Sequence, residues 1–291
     1  MDLIEVGSVR VARTRDDLAL GPGEHLLAGG TWLYSEPQRG VTGLVDLTGL
    51  GWDPVESLPG GGLRLAATCP IARLHELPAP PSAAALAREC ADALLMSWKI
   101  QAVATVGGNV CMALPAGAMT AFATALDGEA VIWRPDGGER REPVADLVRG
   151  PRTTTLRRGE VLRAIDLTGA ALGARFAVRQ LSLAPRGRSA ALLVGRRDAD
   201  GAVALTITGS TPRPRVLRFA SPPEPDALAE AVADAGPWYD DVHGAPDWRA
   251  AMTARLAEQL RAELAGESGT TAGPSGAGDV PDAPGSSGAD S

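Results

Sequence analysis

Short apolar runs alternate with Gly- and Pro-rich breaks along most of this chain, and a few longer stretches repeat their apolar residues every three or four positions. Short alternating runs read as strands and the longer periodicity as helices. Residues 1–55 read as two short strands, 24–27 and 43–47, around a helix-like gap. The break Pro59-Gly60-Gly61-Gly62 divides this lobe from the next. Residues 63–168 read as α+β. They carry a strand at 63–67, a short helix-like piece at 70–77, and a helix at 82–95 with Ser82 as its cap. A turn at 104–109 and a helix at 118–126 follow. A hairpin of 130–133 with 142–144 closes through Asp136-Gly137-Gly138, and a strand lies at 160–167. Residues 174–264 read as strands at 175–183, 190–196 and 202–208, the last two joined by an Asp200-Gly201 turn. Helices are expected at 226–235 and 248–264. In the second of these Met252, Leu256, Leu260 and Leu264 share one face. Residues 266–291, rich in Gly, Ser, Pro, Ala and Asp, hold almost no large apolar groups and are expected to be disordered.

Composition narrows the class. Of 291 residues 45% are hydrophobic and only 4% aromatic, so the core must be aliphatic. The net charge of −7 falls to about −3 without the tail acids Glu267, Asp279, Asp282 and Asp290, and a basic face for nucleic acid is not expected. Cys69, Cys90 and Cys111 are too few and too scattered for a zinc or iron–sulfur set. The N-terminal residues carry charges throughout and no apolar run reaches a membrane span, so a cytoplasmic protein is the default expectation.

Two glycine pairs carry the candidate chemistry. The first lies in Leu27-Ala28-Gly29-Gly30-Thr31-Trp32, at the end of an apolar strand and before an expected helix start. The second lies in Thr105-Val106-Gly107-Gly108-Asn109. Glycines permit positive φ and close approach of backbone, and successive N–H groups form a concavity for anions. Thr31 can add a hydroxyl donor, and Asn109 can donate and accept. Neither motif fits the Walker or the Rossmann pattern. Each alone more often marks a plain tight turn. Two such turns meeting at a lobe interface could hold the two phosphoryl groups of a diphosphate.

At these residues the chain resembles the FAD-binding medium subunit of the molybdenum hydroxylases, the family of xanthine dehydrogenase and carbon monoxide dehydrogenase. That family carries an A-G-G-T/H turn followed by a T-I-G-G-N turn, matched here in order and separation by Ala28-Gly29-Gly30-Thr31 and Thr105-Val106-Gly107-Gly108-Asn109. The Pro115 segment, the helix leading to Asp127-Gly128-Glu129, the Gly159-Glu160-Val161-Leu162 stretch and the late Gly209 to Pro214 stretch are similar as well. The departures are Trp32 in the first turn, Lys99-Ile100-Gln101-Ala102 before the second, Leu114, and Ala118 where the family commonly has an Asp near the flavin.

The resemblance implies a two-lobed FAD-binding domain of the PCMH-like type over residues 1–168, with lobes of about 1–55 and 56–168. A small α+β domain with a three-stranded sheet follows at 174–264. It implies FAD held without a covalent bond, with Leu27, Ala28, Gly29, Gly30, Thr31, Trp32, Thr105, Val106, Gly107, Gly108, Asn109 and Leu162 as its binding residues. Gly29, Gly30, Gly107 and Gly108 would offer N–H groups, Thr31 and Thr105 hydroxyls, and Arg179 is the candidate base of the third segment. No catalytic acid or base and no metal ligand is expected in this chain. Molybdopterin and 2Fe-2S clusters would sit on partners, a large and a small subunit, in a heterotrimer or a dimer of heterotrimers. Electrons would pass from the clusters through FAD to an external acceptor. A structural or assembly subunit that keeps the fold without productive flavin binding is the second reading, motivated by Trp32 and Ala118. Cys111 is expected as a small buried hydrophobe.

Overall fold

The computed structural model describes residues 3–185 and 187–267. Of the tail expected to be disordered, residues 268–291 lie outside the described residues, while Gly266 closes the last helix with φ 84°.

The first lobe is a parallel sheet of β1 (Ser8–Val11), β2 (Glu24–Leu27) and β3 (Gly43–Asp46), ordered β1-β3-β2. The sequence reading lacks β1, whose Val9 and Val11 are exposed. Parallel neighbours need a long crossover, and residues 28–42 supply it between β2 and β3. The helix expected in this gap does not form. Positive φ at Gly30 (68°) and Gly40 (76°) and the ring of Pro37 turn the chain repeatedly instead.

The second lobe is an antiparallel sheet. Its chain order is β4 (Val55–Leu58), β5 (Gly62–Ala66), β6 (Glu129–Trp133) and β7 (Glu139–Pro143), then a small ribbon of β8 (Val148–Gly150) and β9 (Thr153–Thr154), then β10 (Val161–Leu167). The spatial order is β4-β5-β10-β6-β7. Pro59-Gly60-Gly61-Gly62 proves to be the turn joining β4 to β5, inside this sheet rather than between lobes. Strand β10 bulges at Arg163, between Leu162 paired with Ile132 and Ala164 paired with Val131. A bulge turns a side chain aside from its row, and the Arg163 guanidinium lies over Trp52 at 4.5 Å and over Trp133 at 5.8 Å. Trp52 and Trp133 meet edge to face at 5.4 Å, and Arg15 covers Trp133 at 4.7 Å. These stacked pairs join the first lobe to the second in a chain with few aromatics.

Between this sheet and the C-terminal one lie α1 (Pro81–Asp92), α3 (Val106–Met112) and α4 (Ala118–Ala125), while α2 (Trp98–Gln101) sits at the surface with Trp98 and Ile100 exposed. Helix α1 starts on Pro81, a favoured first-turn residue, and Ser82 is not its cap; its Oγ accepts the Phe176 N–H at 2.9 Å. All eight residues of α4 are buried. One apolar cluster runs from Leu65 and Ile165 of the sheet through Phe122 and Leu86 to Leu192 and Val194 beyond.

The C-terminal sheet has four antiparallel strands, not three: β11 (Arg175–Leu181), β12 (Ala191–Arg197), β13 (Val203–Thr208) and β14 (Arg215–Phe219). The missed strand, Arg-Val-Leu-Arg-Phe, lies at a sheet edge just after Pro214 and lacks a strict two-residue period. Short helices α5 (Val144–Leu147) and α6 (Gly169–Leu172) precede it in the chain. Helices α7 (Pro225–Ala233) and α8 (Pro246–Ala265) cover its outer face, with Leu256, Leu260 and Leu264 buried against Leu205 and Ile207.

Candidate functional site

Strands of a parallel sheet end together, and loops leaving their carboxyl ends form crevices. Strand β2 runs out at Leu27 into Ala28-Gly29-Gly30, and that loop borders a cleft of about 480 Å3 between the two lobes. Eleven of the twelve expected residues line it: Leu27, Ala28, Gly29, Gly30, Thr31, Trp32, Thr105, Gly107, Gly108, Asn109 and Leu162. Val106 does not; it is fully buried in the central apolar cluster. The two motifs touch. A Cβ on Gly29 would lie 1.9 Å from the Val103 carbonyl oxygen, so only glycine lets the first loop rest on the chain leading to the second.

The two motifs differ in what their amides do. In the first, Gly30 adopts φ 68°, and its carbonyl accepts the Tyr34 N–H while the Trp32 carbonyl accepts that of Ser35. The N–H groups of Gly29, Gly30, Thr31 and Trp32 have no protein acceptor among the described residues. This is an open set of donors of the kind that holds phosphate.

The second motif is not a turn but the start of α3. Thr105 caps it, its Oγ1 accepting the Gly108 N–H at 3.0 Å. The Val106 N–H donates to the Cys69 carbonyl, the Gly107 N–H to that of Ala67 and the Asn109 N–H to that of Thr105. The expectation that Gly107 and Gly108 offer free N–H groups is therefore corrected: the helix's orphan donors are already taken by the strand end beside them and by the cap. Gly107 serves packing, since a Cβ there would stand 2.4 Å from Ala67 Cβ. Gly108 keeps the cleft wall bare. The Thr105 hydroxyl still has its proton to donate. Asn109 Oδ1 accepts the Met119 N–H at 3.0 Å and so sets the start of α4 against α3.

Several residues of the cleft escaped the sequence reading. Met96, Ile100, Met112 and Leu156 give it apolar walls, and Cys111, expected to be buried, is exposed there. Arg152, on the turn between β8 and β9, is the one Arg or Lys among the described lining residues. Its backbone takes φ 57° and donates to the Ala113 carbonyl. No periodicity signals such a residue. Arg179 lies elsewhere, paired with Glu263 of α8 at 2.5 Å. Ala118 is fully buried and absent from the lining, and the Gly209 corner is tied to the Pro115 carbonyl.

Glu160 fixes the cleft's far edge. Arg140 donates to both its oxygens, at 2.8 and 2.7 Å, and the Arg157 N–H donates at 2.9 Å. The Arg140 guanidinium first, then the Arg157 amide, hold its carboxyl down from 4.5 to about 2 against the opposing effect of burial. A depressed carboxylate contributes stability above its unfolded value and loses it as pH falls toward the folded one. Between pH 4.5 and 2 the wild type should therefore lose about 2–3 kcal/mol through this group. Glu160→Gln should start lower at pH 7 and show a shallower acid slope. Urea midpoints across that range measure it; parallel slopes would refute the assignment.

The family described as FAD binding domain in molybdopterin dehydrogenase matches residues 9–167, more than half of the chain. The chain belongs to that family. Among solved structures it is similar to a carbon monoxide dehydrogenase from Hydrogenophaga pseudoflava that lacks the Mo-pyranopterin moiety of its molybdenum cofactor. The TM-score is 0.73 at 20% identity, over 87% of this chain and 95% of that one. Quinoline 2-oxidoreductase from Pseudomonas putida 86 gives 0.73 at 17% identity, covering 89% and 97%. Reconstituted CO dehydrogenase from Oligotropha carboxidovorans gives 0.74 at 21%, covering 88% and 97%. At these identities the likeness is one of fold, a mixed α+β arrangement of several sheets. No match was found among curated proteins.

FAD fits the cleft. Its volume lies in the range of cofactor sites, about 300–1,000 Å3, its walls are largely apolar, and a row of unbonded amides faces it from one side.

Proposed function

We infer that this chain is the flavin-carrying electron-transfer subunit of a multi-subunit molybdenum-containing hydroxylase or dehydrogenase. The family match supports the cofactor, and the open amides of Gly29, Gly30, Thr31 and Trp32 carry the reading, because a diphosphate is the ligand such donors suit. When bound, FAD supplies the redox centre that takes up and releases electrons. The chain's own part is to bind and orient. The Gly29–Trp32 amides and the Thr31 and Thr105 hydroxyls would hold the diphosphate. Leu27, Ala28 and Leu162 would wall the ring systems, and Gly108 leaves room for them.

The electrons would come from 2Fe-2S clusters on a small partner subunit and leave to an external acceptor. The substrate would be hydroxylated at molybdopterin on a large one, in a heterotrimer or its dimer. Among the described residues no helix is long and apolar enough to cross a membrane, and the cytoplasm is the proposed location.

Purified full-length chain titrated with FAD should quench flavin fluorescence with a one-to-one endpoint and retain the visible flavin bands after gel filtration. A folded chain that stays colourless at saturating FAD would overturn this reading in favour of a structural or assembly subunit. The fully buried Ala118 and the committed amides of α3 would then be the reason.

A further inference from the structure

Arg152 stands apart from the chain's other well-placed arginines. Arg10, Arg64, Arg140, Arg163 and Arg261 all donate to carboxylates at 2.9 Å or less. The Arg152 guanidinium donates no hydrogen bond to protein among the described residues. The nearest carboxylate, Glu36, is 3.9 Å away, and both side chains are about half exposed. What orients Arg152 is a ring: its guanidinium lies over Trp32 at 5.5 Å. A cation–π contact engages the guanidinium without consuming its donors, and a guanidinium with free donors matches phosphate oxygens two at a time. Trp32 belongs to the loop whose amides are open, whereas Arg152 comes from the second lobe. The pair therefore brings a cation from the second lobe, whose Arg152 backbone is tied to Ala113 at the C-terminal end of α3, to the amide-bearing loop.

We propose that Arg152, laid on Trp32, is the cationic half of the diphosphate site, replacing the amides that the second glycine motif withholds. This rests on the FAD reading above and adds what that reading does not contain, a side-chain cation and the aromatic that positions it. The departure at Trp32 then has a purpose: a small residue at that position could not carry the guanidinium. The ligand chemistry selected is a diphosphate ester, so recognition should extend to ADP and fail for riboflavin.

The test uses full-length wild type, Arg152→Gln, Arg152→Lys and Trp32→Leu, with FAD, ADP and riboflavin as probes in fluorescence titration and competition. Charged hydrogen bonds are worth about a factor of ten or more in affinity. Arg152→Gln should therefore raise the FAD dissociation constant at least about tenfold, and the ADP dissociation constant by a similar factor. Riboflavin binding should not change between wild type and variant. Arg152→Lys should recover part of the loss, because it restores charge without the fork. Trp32→Leu should weaken FAD with Arg152 in place. Added salt should weaken FAD binding to wild type more than to Arg152→Gln. Since the Arg152 side chain is exposed, circular dichroism should be unaltered in its variants. Wild type and Arg152→Gln binding FAD equally would overturn this inference and leave the cofactor reading standing. A folded wild type that binds no FAD removes both.

Discussion

Gly107→Ala is expected to destabilise the whole chain by about 3 kcal/mol, and its neighbour Gly108→Ala by only about 1 kcal/mol. Both glycines stand in the first turn of the same helix, where alanine has the better intrinsic propensity. Packing reverses that preference at Gly107. The added methyl would meet Ala67 at its Cβ (2.4 Å), Cα (2.7 Å) and carbonyl oxygen (2.7 Å), and two of these are backbone atoms that cannot rotate away. Relief requires α3 to move off the end of β5. That would break the Gly107 N–H bond to Ala67 and the Val106 N–H bond to Cys69. At Gly108 the methyl meets only the Thr105 hydroxyl, at 2.8 Å, and otherwise points into the cleft. Gly108→Ala should fold and lose flavin affinity, whereas Gly107→Ala should lose stability first. Thermal and urea unfolding beside FAD titration separates them, with a fall in melting temperature for Gly107→Ala on the order of 5–10 °C. Equal destabilisation by the two would show that the close contact with Ala67 is not real.

A comparable loss is expected from Arg249→Ala in the C-terminal sheet and its helices, of about 3–5 kcal/mol. The Arg249 side chain is 1% exposed. Its Nε donates to the Gly244 carbonyl at 2.9 Å, and its Nη1 to the carbonyls of Ala190 at 3.1 Å and of Gly209. Its Nη2 pairs with Asp241, and Tyr239 lies against the guanidinium at 5.5 Å. One side chain on α8 thus satisfies three buried carbonyls and a carboxylate belonging to the chain before β12, the corner after β13 and the 241–244 loop. Truncation strands all of them, and the cost of unmatched buried groups exceeds the net worth of the bonds themselves. Because Gly209 also donates to the Pro115 carbonyl ahead of α4, the damage should reach the central layer and lower the single unfolding transition of the protein. A separate early transition confined to residues 174–267 would instead mean that this segment unfolds alone. No change at all would show the buried arginine to be dispensable.

Much of this architecture is legible in the sequence. The antiparallel strands β6, β10, β12 and β13 and helices α1, α4, α7 and α8 announce themselves because their apolar residues recur at the period of the element and end at Gly, Pro or Asp. Elements at the margins do not. Strand β1 exposes its valines, β14 sits at a half-buried edge without a two-residue period, and the crossover after β2 looks helical only until its glycines take positive φ. The glycine motifs were equally legible as candidates for one cleft: ten of the eleven residues selected from them line it, and so does Leu162.

Local sequence determined where the chain could bend tightly and which elements would flank those bends, since these follow from backbone freedom and side-chain period within a few residues. It could not distinguish the two Gly-Gly pairs, whose residue types are nearly alike. That distinction belongs to the tertiary structure. Whether an amide is free for a ligand depends on what packs against it, and the carbonyls of Ala67 and Cys69, some forty residues earlier in the chain, consume those of Gly107 and Val106. The same holds for Arg152 and Trp32, which lie far apart along the chain and acquire a shared role only when the lobes close on one cleft.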